Sequence, residues 1–439
     1  MDRLKLKELV AMGLGGTIGG GIFAALGLAV GIAGNYAVLS FLLAGVIAFI
    51  SGYSFVCIES YLKKDGGTFT FMNDLISNEF WAVYNGWILL VGYVGTMSLY
   101  SYAFGAFAKL LFDPLIVLPR SFFSVGVMLF FLLLNLKGVK ESGVTEDILV
   151  AFKIFVLVVF GFAGLYFIAV SGDLSFFGTI SNDGGLVGAL LAIPVIFVSF
   201  EGFELLSYEY SEIDNREENF RRGVYITILS ATFIYMLIVV VVSSVVTPDE
   251  LLKYDDTILA YAATRVLPGA FVGRVAYVVV VITALFSTAS AINATLFGTS
   301  RLATTIAESG DLPGVFARRT SENIPYMSLV VLTLITVVFT FFGSLLQISS
   351  FASIAFLTIF GVGNYVAYRS PEVNANRLFP VIALVAILIS VPVFLVYIWS
   401  HDPMTFYTIG VIAVGILVSV ALFLRYRSVS SPFAAVISD

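Results

Sequence analysis

The chain has 439 residues, a formal net charge of −6, a mean hydropathy of +1.01, 59% apolar residues and only 12% charged ones. A soluble domain carries about 25% charged residues, and no soluble fold hides this much apolar surface, so lipid must be the solvent for much of it. One cysteine, Cys57, and one histidine, His401, exclude an intrachain disulfide and a His/Cys metal cluster.

A hydrocarbon core of about 30 Å asks for about 20 apolar residues of helix. Twelve such segments are predicted, at 9–32, 38–58, 81–107, 121–136, 148–170, 186–208, 224–246, 275–296, 326–342, 348–367, 378–397 and 406–424. They are apolar on all sides, which disfavours the alternating strands of a barrel. Residues 1–10 are not expected to form a cleavable signal, because the apolar run that follows is long and Gly-rich. With the N-terminus placed inside, seventeen of the 23 Lys and Arg fall in inside loops. Only Lys109, Arg120, Lys253, Arg265 and Arg274 fall outside. Such a bias predicts cytoplasmic N- and C-termini and an even helix count. Lys153 belongs to neither side, lying inside the fifth run. The longest outer connection, 247–273, reads as helical in its middle. The expectation is one membrane domain over 1–439.

The first run holds Gly13, Gly15, Gly16, Gly19, Gly20 and Gly21. Each glycine weakens a helix by about 1 kcal/mol relative to alanine, so three in a row invite a break. A break at membrane depth must be buried in protein or line a cavity, and its freed N–H groups suit a carboxylate. Close helix packing through small residues is the competing explanation. A nucleotide loop is excluded, since no βαβ unit surrounds the glycines. The third run carries Tyr93 and Tyr100, which line a cavity or simply pack. Glu59, near the end of the second run, is expected at the interface. In the fifth run Lys153 either snorkels to the surface or is a buried amine whose proton can come and go. The sixth run contains Pro194 and the string Ser199-Phe200-Glu201-Gly202-Phe203-Glu204. Two carboxylates in lipid cost about 2.5–3.5 kcal/mol each, so they face a cavity, are protonated, or pair inside the bundle. Interruptions at corresponding points of two halves point to a transporter site built on inverted repeats. The eighth run is rich in Ser and Thr, including Ser287, and carries Asn293. His401 is expected in a loop.

These residues resemble the amino acid–polyamine–organocation (APC) family across almost the whole chain. Gly15-Gly16-Thr17-Ile18-Gly19-Gly20-Gly21-Ile22-Phe23 resembles its first-helix signature, with Gly20 where Ser or Ala is commoner. Asp65-Gly66-Gly67-Thr68-Phe69 resembles the loop after the second helix, and Asn135-Leu136-Lys137-Gly138-Val139-Lys140 the stretch after the fourth. Phe200-Glu201-Gly202-Phe203-Glu204 resembles the sixth-helix Gly-Phe-Glu element. Residues 301–313 resemble the loop ending in Asp-Gly-Leu-Pro, with Gly310-Asp311 reversed.

The resemblance implies an all-α fold of twelve transmembrane helices. It contains an inverted 5+5 repeat, with repeat one at about 7–170, repeat two at about 186–369 and peripheral helices at about 378–426. Helices 1 and 6 are broken. A substrate carboxylate would meet N–H groups near Gly19, Gly20 and Gly21, and its amino group would meet carbonyls near Val198, Ser199 and Glu201. Phe200 or Phe203 would gate the site. Lys153 would stand where sodium-coupled relatives hold a cation, beside the Gly15 carbonyl and the Ser287 hydroxyl. Tyr93, Glu204, Asn293 and Phe351 are candidates for specificity. The implied function is secondary transport of amino acids across the cell membrane, coupled to protons and using no cofactor, metal or nucleic acid. A cationic amino acid or polyamine exchanger or exporter is the alternative suggested by Glu201 and Glu204. A non-transporting amino-acid-binding sensor is the alternative of another class. An enzyme is not expected, for want of a nucleophile–base pair or a metal cluster.

Overall fold

The computed structural model describes residues 3–64, 67–76, 78–113, 117–138, 143–171, 185–267 and 269–435. Asp65 and Gly66 of the Gly-Gly loop, and Val139 and Lys140 after the fourth run, lie outside them. Regular structure among the described residues is helical. Nine of these helical stretches are long and apolar enough to cross a membrane, and Arg120–Leu136 and Tyr326–Phe342 are shorter apolar helices. With its composition, this makes the chain a multi-pass helical membrane protein.

The first apolar run is two helices. Helix α1 (Leu6–Thr17) stops and α2 (Gly20–Ala33) restarts after Ile18 (φ −84°, ψ 60°) and Gly19 (φ −92°, ψ −140°). Gly34, at φ 57°, ends α2 in a conformation that strains any side-chain-bearing residue. Then follow α3 (Ala37–Leu62), α4 (Gly67–Leu75), α5 (Glu79–Phe112), α6 (Arg120–Leu136), α7 (Gly143–Ser171) and α8 (Gly185–Ile196). Helix α8 carries Pro194 and passes into a 3-10 helix, Phe197–Glu212. A 3-10 run is seldom longer than three or four residues, so sixteen of them must be held by their surroundings. The chain continues with α9 (Arg216–Val245), α10 (Pro248–Tyr254), α11 (Ile258–Val266), α12 (Val272–Glu308), α13 (Tyr326–Phe342), α14 (Leu345–Arg369), α15 (Leu378–His401) and α16 (Pro403–Ala435).

Helix α1 packs against α9 and the 3-10 segment, and α2 packs against α8. The chain just before α1 is pinned to the C-terminal end of the 3-10 segment. Leu4 N–H donates to the Glu212 carbonyl and Asp214 N–H to the Leu4 carbonyl, both at 2.9 Å. Two expectations change. Helix α3 runs to Leu62, a turn further than predicted, and Glu59 near its end is packed among helices, only 2% exposed. His401 is the last residue of α15, not a loop residue, and its ring stacks on Tyr397 four residues earlier.

The 247–273 connection is helical, as read, in α10 and α11. Thr247 and Glu250 form a capping box at its start. Burial alone would raise the Glu250 carboxyl, but the Thr247 N–H, the Tyr261 hydroxyl and Arg265 outweigh it and hold the group at about 2. A depressed carboxylate stabilises the fold above its unfolded value, and that contribution is lost as pH falls through the folded value. Thermal melts of Glu250→Gln should therefore fall below wild type at pH 7. The gap should close as pH drops from the usual carboxylate range towards about 2. A gap independent of pH would show that the carboxylate charge does not hold this loop.

Candidate functional site

The last turn of α1 has carbonyls with no helical partner, and each unpaired polar group in a membrane interior costs several kcal/mol. Side chains from three other helices supply the donors. Lys153 Nζ, on α7, donates to the Gly15 carbonyl at 2.7 Å. The Tyr235 hydroxyl, on α9, lies 2.6 Å from the Thr17 carbonyl. The Ser287 hydroxyl, on α12, donates to the Ile18 carbonyl at 2.9 Å, with the Gly19 carbonyl at 3.4 Å. Lys153 is 2% exposed, so it points into the bundle rather than to the surface. An ammonium at a helix C-terminus also meets the negative end of the helix dipole.

The second interruption is held in the same way. The Val195 carbonyl accepts from Ser349 at 2.5 Å and Ser353 at 3.0 Å, both on α14. Val198 N–H donates to the Ser353 hydroxyl at 2.9 Å. The Ser199 carbonyl lies 2.9 Å from the Tyr235 hydroxyl, so one phenol faces both interrupted helices. Tyr235→Phe keeps the ring and removes that donor. It should lower stability by about 1–3 kcal/mol, the cost of stranding buried carbonyls. An unchanged melting temperature in detergent would mean that both carbonyls find other donors.

The two breaks touch through glycine. A Cβ on Gly202 would lie 2.1 Å from Thr17 N, and one on Gly21 would lie 2.5 Å from Ser199 Oγ. Tyr100 closes over the start of α2, where a Cβ on Gly20 would meet its Cδ1 at 2.4 Å and one on Gly19 its ring end at 3.0 Å. Gly19 through Gly21, Val198 and Ser199 thus form one buried centre between α5, α9 and α12. The Ser199 hydroxyl there has no hydrogen-bond partner among the described residues.

The two carboxylates do not pair with each other but take hydroxyl partners of their own. Glu201 accepts from Thr96 at 2.8 Å and from Tyr100 at 3.4 Å, both on α5. Glu204, fully buried, accepts from Thr68 on α4 through one oxygen; its Oε2 has no hydrogen-bond partner among the described residues. Phe200 packs edge-on to Tyr235, and Phe203 lies against Phe360 and Phe55; both are fully buried. Tyr93 meets the Tyr208 hydroxyl at 3.1 Å. Asn293 is tied to Asn135 on α6 at 2.8 Å, and Phe351 packs edge-on to Phe339.

Sequence reasoning missed Tyr235, Ser349, Ser353, Thr96 and the pairing of Thr68 with Glu204. Tyr235 carried a usable signal: a phenol amid the aliphatic residues of α9 needs a partner for its hydroxyl. Among the described residues no group of His, Cys, Asp and Glu is arranged to hold a metal.

The sequence is similar to known proteins along almost its whole length. Residues 4–427 match the family described as amino acid permease. An uncharacterised protein of Methanocaldococcus jannaschii is 27% identical, covering 95% of this chain and 94% of that protein. The inner membrane transport protein YbaT of Escherichia coli is 26% identical, covering 95% and 96%. The lysine-specific permease LysP of Lactococcus lactis is 23% identical, covering 85% and 75%. The last two names are those of a transport protein and a permease, not of enzymes. Because the match runs almost from end to end, the chain belongs to the amino acid permease family, as a membrane transporter of the amino acid–polyamine–organocation group.

Proposed function

We propose that this transporter carries amino acids across the cell membrane together with protons, by alternating access. The observation that carries the reading is the contact of Lys153 Nζ with the Gly15 carbonyl, one turn before the break between α1 and α2. A charged amine there holds α7 to the interrupted helix through a charge-assisted hydrogen bond, about twice as strong as a neutral one. Loss of its proton weakens that hold, which gives proton movement a mechanical consequence at the substrate site.

In this reading twelve helices cross the membrane. The 43-residue apolar stretch Gly20–Leu62 turns at Gly34 and counts as parts of two crossings. The two seventeen-residue helices, α6 and α13, each reach about 25 Å at 1.5 Å per residue. Residues 7–170 and 186–369 are the two repeats, with α15 and α16 peripheral. The bias of Lys and Arg puts both termini in the cytoplasm. The substrate carboxylate sits at the start of α2, on Gly19, Gly20 and Gly21. Its amino group meets the carbonyls near Val198, Ser199 and Glu201. Phe200 or Phe203 shuts the site, and Lys153, Gly15 and Ser287 couple the proton. Tyr93, Glu204, Asn293 and Phe351 tune the substrate range.

A cationic substrate is the second reading. The buried Glu204 oxygen, without a hydrogen-bond partner among the described residues, favours it, and the relative named a lysine-specific permease is compatible with it. The test is uptake of labelled amino acids into vesicles. An acid-outside gradient should drive accumulation that a protonophore abolishes. Accumulation indifferent to the protonophore would remove the proton from the proposal. Competition by arginine or putrescine against neutral amino acids would decide the substrate charge.

A further inference from the structure

We propose that a groove between α3 and α9, away from the substrate centre, holds an anionic phospholipid. Its phosphate lies against Arg221 and Arg222, and an acyl chain lies along the outward face of α9. The groove is a cavity of about 740 Å³ at the end of the molecule where most Lys and Arg gather. Its lining includes Tyr53, Ser60, Tyr61, Arg221, Arg222 and Tyr225. Glu372 is the one carboxylate of that lining, against two arginines. Both arginines are exposed. Arg221 makes no ion pair among the described residues. Arg222 is paired with Glu218, at 2.5 Å, with both side chains substantially exposed. A surface pair of this kind is weak and easily shared with a phosphate.

The apolar surface beside it selects a lipid over a soluble phosphate. Arg222, Ile226, Leu229 and Phe233 recur at the spacing of one helix face. The last three are 40%, 56% and 57% exposed, so an apolar track begins where the charge ends. On α3, Leu42 and Val46 are also exposed, and Phe49, one turn further on, packs against Tyr225 of α9. Basic pockets between helices at the cytoplasmic surface suit anionic headgroups in this way.

The test follows the unfolding midpoint of purified full-length protein titrated with dioleoylphosphatidylglycerol, dioleoylphosphatidylcholine or inorganic phosphate. Phosphatidylglycerol should act at about tenfold lower concentration than phosphatidylcholine. That preference should vanish in Arg221→Gln/Arg222→Gln and persist in Arg221→Lys/Arg222→Lys. It should also persist in Arg318→Gln/Arg319→Gln, which removes charge elsewhere on the basic end. Equal action of the two lipids on wild type overturns the proposal, as does a preference surviving the Gln pair. Loss of preference in Arg318→Gln/Arg319→Gln assigns the effect to general surface charge and also overturns it. A stabilisation by inorganic phosphate equal to that by phosphatidylglycerol overturns the lipid and leaves a soluble phosphate ligand.

Discussion

Lys153→Ala is expected to separate transport from the proton. In vesicles, wild-type accumulation should follow an imposed pH gradient, whereas the variant should only equilibrate substrate, at a rate indifferent to that gradient. The reason lies in the end of α1. Thr17 and Ile18 keep their donors, Tyr235 and Ser287, when Lys153 is shortened, so the break itself survives. What disappears is a cationic donor, at 2.7 Å from the Gly15 carbonyl. Removing one partner of a buried charge-assisted hydrogen bond costs more than removing a neutral one, so some loss of stability should accompany the loss of coupling. Lys153→Arg is the informative companion. It keeps a charge that does not come off in a protein, and should bind substrate yet fail to turn over. Gradient-driven accumulation by Lys153→Ala at the wild-type level would end the proton role of this residue, whatever its place in the fold.

The break in the first helix was legible because glycine is costly in a helix and three stand together at Gly19, Gly20 and Gly21. Lys153 was legible as an anomaly, because counting charges left it without a loop. The identity of its neighbours came from the family resemblance alone. The chain that would meet it lies 138 positions away in sequence, and no periodicity spans that distance. The same holds for Tyr235 and Ser287, which reach the first helix over 218 and 269 positions. Pro194 announced a disturbance in the sixth run but not its form. The change to 3-10 winding from Phe197 onward depends on serines of α14 that pick up the Val195 carbonyl and the Val198 N–H, and Ser349 and Ser353 look like ordinary small packing residues in isolation. The end of α3 was read one turn short of Leu62, and the packing of Glu59 among the helices left no sequence signal.

Gly202→Ala should be among the most damaging single substitutions in this chain, although it adds one methyl group. The new Cβ would lie 2.1 Å from Thr17 N, 2.3 Å from the Gly16 carbonyl carbon and 2.6 Å from Thr17 Cα. All three are backbone atoms, so no rotamer change relieves the contact; the two interrupted helices must move apart. Overpacking of this kind costs about 1–3 kcal/mol. The greater loss is functional, because Tyr235 faces Thr17 and Ser199 with one hydroxyl and cannot follow both carbonyls once they separate. On the proposed reading, substrate groups at the start of α2 and along the 3-10 segment would lose their common geometry in the same step. Gly126→Ala is the control. It lies on α6 with nothing within 4 Å of the added carbon, and should be neutral or stabilising by up to about 1 kcal/mol through helix propensity. Melting temperature and substrate affinity, measured together on both variants, separate the outcomes. If Gly202→Ala melts and binds as wild type does, the close crossing of the two breaks is not what builds the site.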